Sequence, residues 1–401
     1  MSTSRSRWGL IALLGVASGL SAFGMASVVP TLPTLSRALG ADFGSLQFVV
    51  SAYLLGLGLF QPIQGLLCDR FGRRPVMLMG FSLFAAASLL ASVASGLASL
   101  VLARFLQAMG VSVATVVSRA IVRDTFEPGP AAIALSFITA VMGVAPVIAP
   151  VIGGTVVEVW GWRGVFWVHA SVSLLVCAVM WRRLPETRPA DTEAMTVQQL
   201  IGGGRVLVRD ARFMGPVLTY SFLSASGMVF ITIGAALYER LFTMNGAQFG
   251  FLWSGLAVSY VIGATTAGQL ARRLGSRRAQ RVGMGCNLLA ILGFVAAALL
   301  PTPWIALFSG SLALLMFANG AVSPLVLMQA VDDHPSLAGV AAGLSSAIAM
   351  LVSMLSAVLT GVLYEGSALP CALLMALSGV GALWALRLGE RGHWRRRTAL
   401  T

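Results

Sequence analysis

Apolar residues fall along this chain in stretches of about twenty, interrupted by short polar or Gly/Pro turns. A bilayer core of about 30 Å needs about 20 apolar residues per helical crossing. Twelve stretches meet that length, near 9–29, 45–67, 75–95, 98–121, 131–156, 163–181, 213–238, 248–270, 281–300, 304–328, 338–363 and 368–387. The pattern predicts an all-α polytopic membrane protein with twelve transmembrane helices. Composition points the same way: 57% of residues are hydrophobic, the mean hydropathy is +0.87, and such a chain cannot cover a water-facing surface.

The formal charge of +13 invites a nucleic-acid partner until positions are plotted. Every basic residue is arginine. With a cytoplasmic N-terminus, twelve crossings put Arg5, Arg7, Arg70, Arg73, Arg74, Arg123, the 182–212 segment, the 272–281 cluster and the 387–397 tail on one side. Arg37, Arg163 and Arg240 fall on the other. This is a positive-inside bias, so the surplus charge signals topology and no nucleic acid is expected. The run after Arg5 and Arg7 is too long for a cleaved signal and reads as a retained first span. Cys68, Cys177, Cys286 and Cys371 are scattered without metal spacing, which fits reduced thiols among apolar neighbours.

The most polar stretch, RRLPETRPADTEAMTVQQLIGGGRVLVRDAR at 182–212, lies between six spans and six spans. It divides the chain into an N-terminal six-helix half (1–184), a cytoplasmic connector (185–212) and a C-terminal six-helix half with a basic tail (213–401). An internal repeat supports the division. GLLCDRFGRRPVMLMG at 65–80 aligns without a gap on GQLARRLGSRRAQRVG at 268–283, matching Gly65 with Gly268, Arg70 with Arg273, Gly72 with Gly275, Arg74 with Arg277 and Gly80 with Gly283. Each copy falls between the second and third span of its half. Glycine suits a tight reversal there, and Pro75 can open the next helix because its missing N–H would be unpaired anyway. Asp69 can pair with the arginines or cap a neighbouring helix. In the second copy Arg272 takes its place, so that copy keeps the anchor and loses the internal ion pair.

The stretch from Gly65 to Pro75, G-x-L-x-D-R-x-G-R-R-P, resembles the signature loop of the major facilitator superfamily in its drug-exporter form. Two further elements resemble the family: Arg104 and Gln107 in an R-x-x-Q-G frame with Ala108 for the glycine, and Ser136, Ala145, Ala149, Pro150, Gly153 and Gly154 in the frame of the antiporter motif. PVIAPVIGG, GWRGVFWV, LPETRP and LAGVAAGL resemble the Bcr/CflA branch, which includes bicyclomycin and chloramphenicol exporters. The resemblance implies a major facilitator fold with two pseudo-symmetric halves rocking about a central cavity. It also implies a gating role for Gly65, Asp69, Arg70, Gly72, Arg73 and Arg74, which latch the cytoplasmic side.

Inside the spans the chemistry narrows. Arg104 carries a charge whose insertion costs about 2.5 to 3.5 kcal/mol, which marks it as functional and cavity-facing unless it is shallow enough to snorkel. Gln107, one turn away, and Tyr53, Gln61 and Gln64 on span 2 are its candidate neighbours. Further lining candidates are Ser112, Thr115, Met142, Tyr220, Phe230, Trp253 and Asn319, each equally explained by helix packing. Pro146 and Pro150 with Gly153 and Gly154 make span 5 a kinked, tightly packed hinge or a static kink. His169 reads as a packed histidine, and DDHP at 332–335 as a solvated loop with Ser336 starting the next helix.

Exporters of this branch carry an acid in span 1, where this chain has Ala26. The fourteen Asp and Glu all fall at span ends or outside, so the cavity should be neutral to positive and disfavour lipophilic cations. The expected function is export of small organic molecules, neutral or weakly anionic amphipaths above all, from a bacterial inner membrane with both termini cytoplasmic. The expected driving force is proton antiport, with no cofactor and no metal. A metabolite permease or an uncoupled facilitator is the alternative that Ala26 keeps open. The expected partners are the substrate and the lipid bilayer, and the chain is expected to work as a monomer. Three distant histidines, and no phosphate loop followed by Lys, argue against an enzyme.

Overall fold

The computed structural model describes residues 2–189, 196–334 and 337–399. Among the described residues the chain is helix joined by short turns, with no strand. In order, the helices are α1 (Ser2–Ala26), a 3-10 turn at Val29–Thr31, α2 (Leu32–Leu39), α3 (Phe43–Phe71), α4 (Arg73–Ser92), α5 (Leu97–Val111), α6 (Val113–Thr125) and α7 (Pro128–Arg183). Then come α8 (Val197–Arg209), α9 (Ala211–Phe242), α10 (Gly246–Leu274), α11 (Ser276–Leu299), α12 (Ile305–Asp332), α13 (Ala338–Leu363) and α14 (Leu369–Ala399).

Among the described residues eleven helical segments are long and apolar enough to cross a membrane, against twelve predicted crossings. The difference lies in α7, which joins the predicted fifth and sixth spans without a loop. Its 56 residues would extend about 84 Å as a straight helix, nearly three bilayer cores. The chain breaks at Gly161, whose φ of 69° and ψ of −179° favour glycine, and each arm has the length of one crossing.

Two compact units form. The first takes in Met1–Asp42, Phe48–Val197 and Gly246–Ser254. In it α1 lies along the first arm of α7, with Gly15 and Gly19 against Val141. Helix α4 meets α5 through Gly80 and Gly110, where an added methyl on either would overlap the other's backbone. On its other side α4 meets the second α7 arm, where Ser173 Oγ donates to the Phe81 carbonyl at 2.8 Å.

The second unit takes in Phe43–Gln47, Gln198–Asn245 and Gly255–Thr401. Helix α9 packs on α14 through Gly215 and Gly389, while Ser356 Oγ of α13 donates to its Ala225 carbonyl at 3.1 Å. The connector helix α8 docks by burying Leu207 against Phe213, Val217, Ala330, Val340 and Ala341.

The sequence repeat is visible in the backbone. Gly72 (φ 102°, ψ 159°) caps α4 and Gly275 (φ 80°, ψ 147°) caps α11 in nearly the same conformation. Gly80 packs on the following span of the first unit, and Gly283 packs on Val322 of α12 in the second.

Candidate functional site

The first copy of the repeated loop is a closed charge network. Asp69, at the end of α3, accepts from Arg73 Nη1 one turn ahead at 2.5 Å. Arg73 Nε donates at 3.0 Å to Asp124 Oδ2 at the end of α6, and its side chain is nearly enclosed. Glu186, in the segment after α7, accepts from Arg73 N at 2.9 Å and Arg74 N at 3.2 Å, so a carboxylate caps the first turn of α4. Burial works to raise the Glu186 pKa, but the backbone N–H groups of Arg188, Arg73, Arg74 and Thr187 outweigh it and hold the carboxyl below its ordinary value. A methyl on Gly72 would run into this carboxylate. Arg74 Nη2 donates to the Trp181 carbonyl at 2.7 Å, and Arg70 lies exposed with its guanidinium over Phe71. Gly65 stands in open space.

The second cluster surrounds Arg104, which is fully buried. The snorkelling alternative is therefore overturned. Its Nη1 donates to the Gly24 carbonyl of α1 and to Gln107 Oε1, both at 2.9 Å, and its Nε donates to the Val49 carbonyl of α3 at 3.3 Å. The Tyr53 ring lies 4.1 Å from the guanidinium carbon. Gln107 Nε2 passes the network to Ser88 Oγ at 2.7 Å, and Tyr53 donates to the Ser21 carbonyl at 2.9 Å. The cation is solvated by carbonyls and a ring face, with no carboxylate among the described residues. Glycines make this possible. Gly24 lets Tyr53 and Phe84 close on α1, and Gly56 gives the Ala108 methyl its space, so the family glycine replaced at Ala108 is offset on the facing helix.

The remaining predicted residues do not join one site. Gln64 Nε2 donates to Ser112 Oγ at 3.0 Å, while Gln61 is buried and Thr115 and Met142 are half-buried. In the second unit Asn287 Nδ2 donates to Asn319 Oδ1 at 2.8 Å, and Asn319 donates on to the Leu223 carbonyl at 3.0 Å. Phe230 lies edge-on to Tyr238 at 6.0 Å, Tyr220 flanks the core around Leu223, and Trp253 is buried beside Phe249 in the first unit. The small residues of span 5 serve close backbone approach. Gly153 meets the Ser27 carbonyl, Gly154 meets Gly246, and the Pro150 carbonyl faces Gly250. Pro146 and Pro150 lie inside the first arm of α7, whose Val147 carbonyl accepts from Ser254 Oγ.

Two histidines carry more structure than sequence reasoning gave them. His169 is fully buried, with Nε2 2.7 Å from Ser27 Oγ and the rings of Phe23, Phe84 and Phe166 around it. His334 is not part of a solvated loop: its Nε2 lies 3.0 Å from Asp210 Oδ2 and its ring stands edge-on to Phe213. Arg212 holds the same carboxylate at 2.6 Å. Burial raises Asp210, yet Arg212 and His334 together hold it well below the usual carboxylate range. Pro335 and Ser336, with the helix start expected there, lie outside the described residues.

Spans in two repeated sets, a repeated arginine loop and buried polar clusters between helices define a polytopic membrane protein of the two-half transporter class. The chain belongs to the Major Facilitator Superfamily, whose sequence profile matches residues 14–357. It is 24% identical over 345 residues, 86% of each chain, to a bicyclomycin resistance protein homolog of Haemophilus influenzae. It is 28% identical over 293 residues, 69% of each chain, to a chloramphenicol resistance protein of Pseudomonas aeruginosa. A solved bacterial homolog of the human lysosomal transporter Spinster superposes with a TM-score of 0.79 over 97% of each chain at 16% identity, which speaks to fold alone. The expected drug-exporter branch is thus the company the sequence keeps.

Proposed function

We propose that this chain exports small organic molecules across a bacterial inner membrane by alternating access, with neutral or weakly anionic amphipaths preferred and proton antiport as the driving force. The observation that carries the charge preference is Arg104, a buried cation with neutral partners in a chain whose acids, by sequence position, all fall at span ends or outside the spans. A second cation entering that low-dielectric region meets repulsion and no counter-charge. The resistance names of the relatives support drug-like cargo. Asp69, Arg70, Arg73 and Arg74 are assigned the gating role, and both termini are placed in the cytoplasm on the distribution of arginine. The transporter works as a monomer and needs no cofactor.

Everted vesicles test the reading directly. Energised uptake of chloramphenicol should exceed uptake of ethidium, and the reverse order would overturn it. Ala26 favours one other reading, a facilitator without proton coupling. Export that persists undiminished after an uncoupler selects that reading, whereas collapse of export selects antiport.

A further inference from the structure

In the second unit the start of α11 and the end of α14 enclose a cleft of about 320 Å³, lined by Arg277, Arg281, Arg387, Glu390 and Arg391. Glu390 is spent on Arg281, accepting from its Nε at 3.0 Å and its Nη2 at 2.9 Å. Among the described residues Arg277, Arg387 and Arg391 have no acidic partner, so three arginines line one cleft without counter-charge. Like charges so gathered repel unless an anion lies between them. A phosphate oxygen matches guanidinium geometry.

The apolar surroundings say which phosphate. On α14, Leu373, Leu377, Val380 and Trp384 recur at three- and four-residue spacing with Arg387 and Arg391, and all four are more than half exposed. On α11, Leu292 stands eleven residues beyond Arg281, about 16 Å along the helix and so about half of a bilayer core. Gly285 on the same face leaves open space where a side chain would stand. A charged cleft thus continues into an exposed apolar surface of one leaflet's depth.

We propose that this cleft is a binding site for the headgroup phosphate of an anionic phospholipid, whose acyl chains lie along the exposed face of α11 and α14. The lipid is a bound constituent of the second unit, distinct from transported cargo. The purified full chain in detergent micelles should bind phosphatidylglycerol in preference to phosphatidylcholine of the same chains, read by native mass spectrometry. Arg277→Gln with Arg387→Gln should weaken that binding about thirtyfold, roughly fivefold for each guanidinium. Arg272→Gln with Arg273→Gln removes equal charge outside the cleft and should change it less than twofold. Inorganic phosphate at millimolar concentration should not displace the lipid, and Trp384→Ala should weaken lipid binding. Equal binding of the two lipids, or equal losses in both arginine pairs, would overturn the site. Displacement by inorganic phosphate with no effect of Trp384→Ala would make it a soluble-anion site and overturn the lipid assignment.

Discussion

The two copies of the glycine–arginine loop have the same backbone and opposite electrostatics. Gly72 and Gly275 cap their helices with nearly equal angles. Around Gly72, however, Asp69, Asp124 and Glu186 absorb the arginine charge inside the unit, whereas Arg272, Arg273, Arg277 and Arg278 stand exposed and, among the described residues, without an acid. Backbone geometry is the part of the repeat that a sharp helical reversal requires. Charge pairing is the part that can diverge, and its divergence gives the first copy a closed network and the second a largely open one, in which Arg281 pairs with Glu390.

Removing a buried partner should break the comparison most strongly. Arg73→Gln leaves Asp69 and Asp124 facing each other and should cost about 3 to 5 kcal/mol, whereas Arg277→Gln should change stability by less than about 0.5 kcal/mol. Thermal unfolding of the purified proteins checks both. The glycines come next: Gly72→Ala and Gly275→Ala should each cost about 1 to 3 kcal/mol of backbone strain, with Gly72→Ala the larger because the methyl also displaces Glu186.

Acid should separate the copies further. The folded Glu186 pKa is depressed, so its contribution is complete above the ordinary value of 4.5 and is lost as pH falls through the folded one. Melting temperature should therefore fall on acidification below that value, and Glu186→Gln should flatten this part of the profile. The smallest effect is expected from transplanting the pair: R272D with S276R should add about 0.3 to 0.5 kcal/mol, as an exposed i,i+4 pair does. A gain above 2 kcal/mol would show that the second copy is as enclosed as the first.

Much of this was legible in the sequence because crossing a bilayer imposes length, and length shows in one dimension. The repeat and the signature loop were legible because glycine and arginine spacing survives without alignment. Partners were not. Glu186 sits in a proline-rich segment that reads as linker, and its targets, Arg73 and Arg74, lie more than a hundred residues away. The depth of Arg104 was open for the same reason: its enclosure depends on Gly24 and Gly56 bringing α1 and α3 backbone close, which no spacing within α5 reveals. His334 read as loop because its partner Asp210 belongs to another helix end.

Gly161 has a consequence for biogenesis. With a single residue breaking α7, there is no loop in which an orientation signal for each arm can be read separately. Arg163, just beyond the break, stacks on Trp162 and donates to the Ala94 carbonyl, which fixes it at that end. The two arms are therefore expected to enter the bilayer as one hairpin, and a lengthened turn at 161 should give the insertion machinery a choice of orientation that a single-residue break withholds.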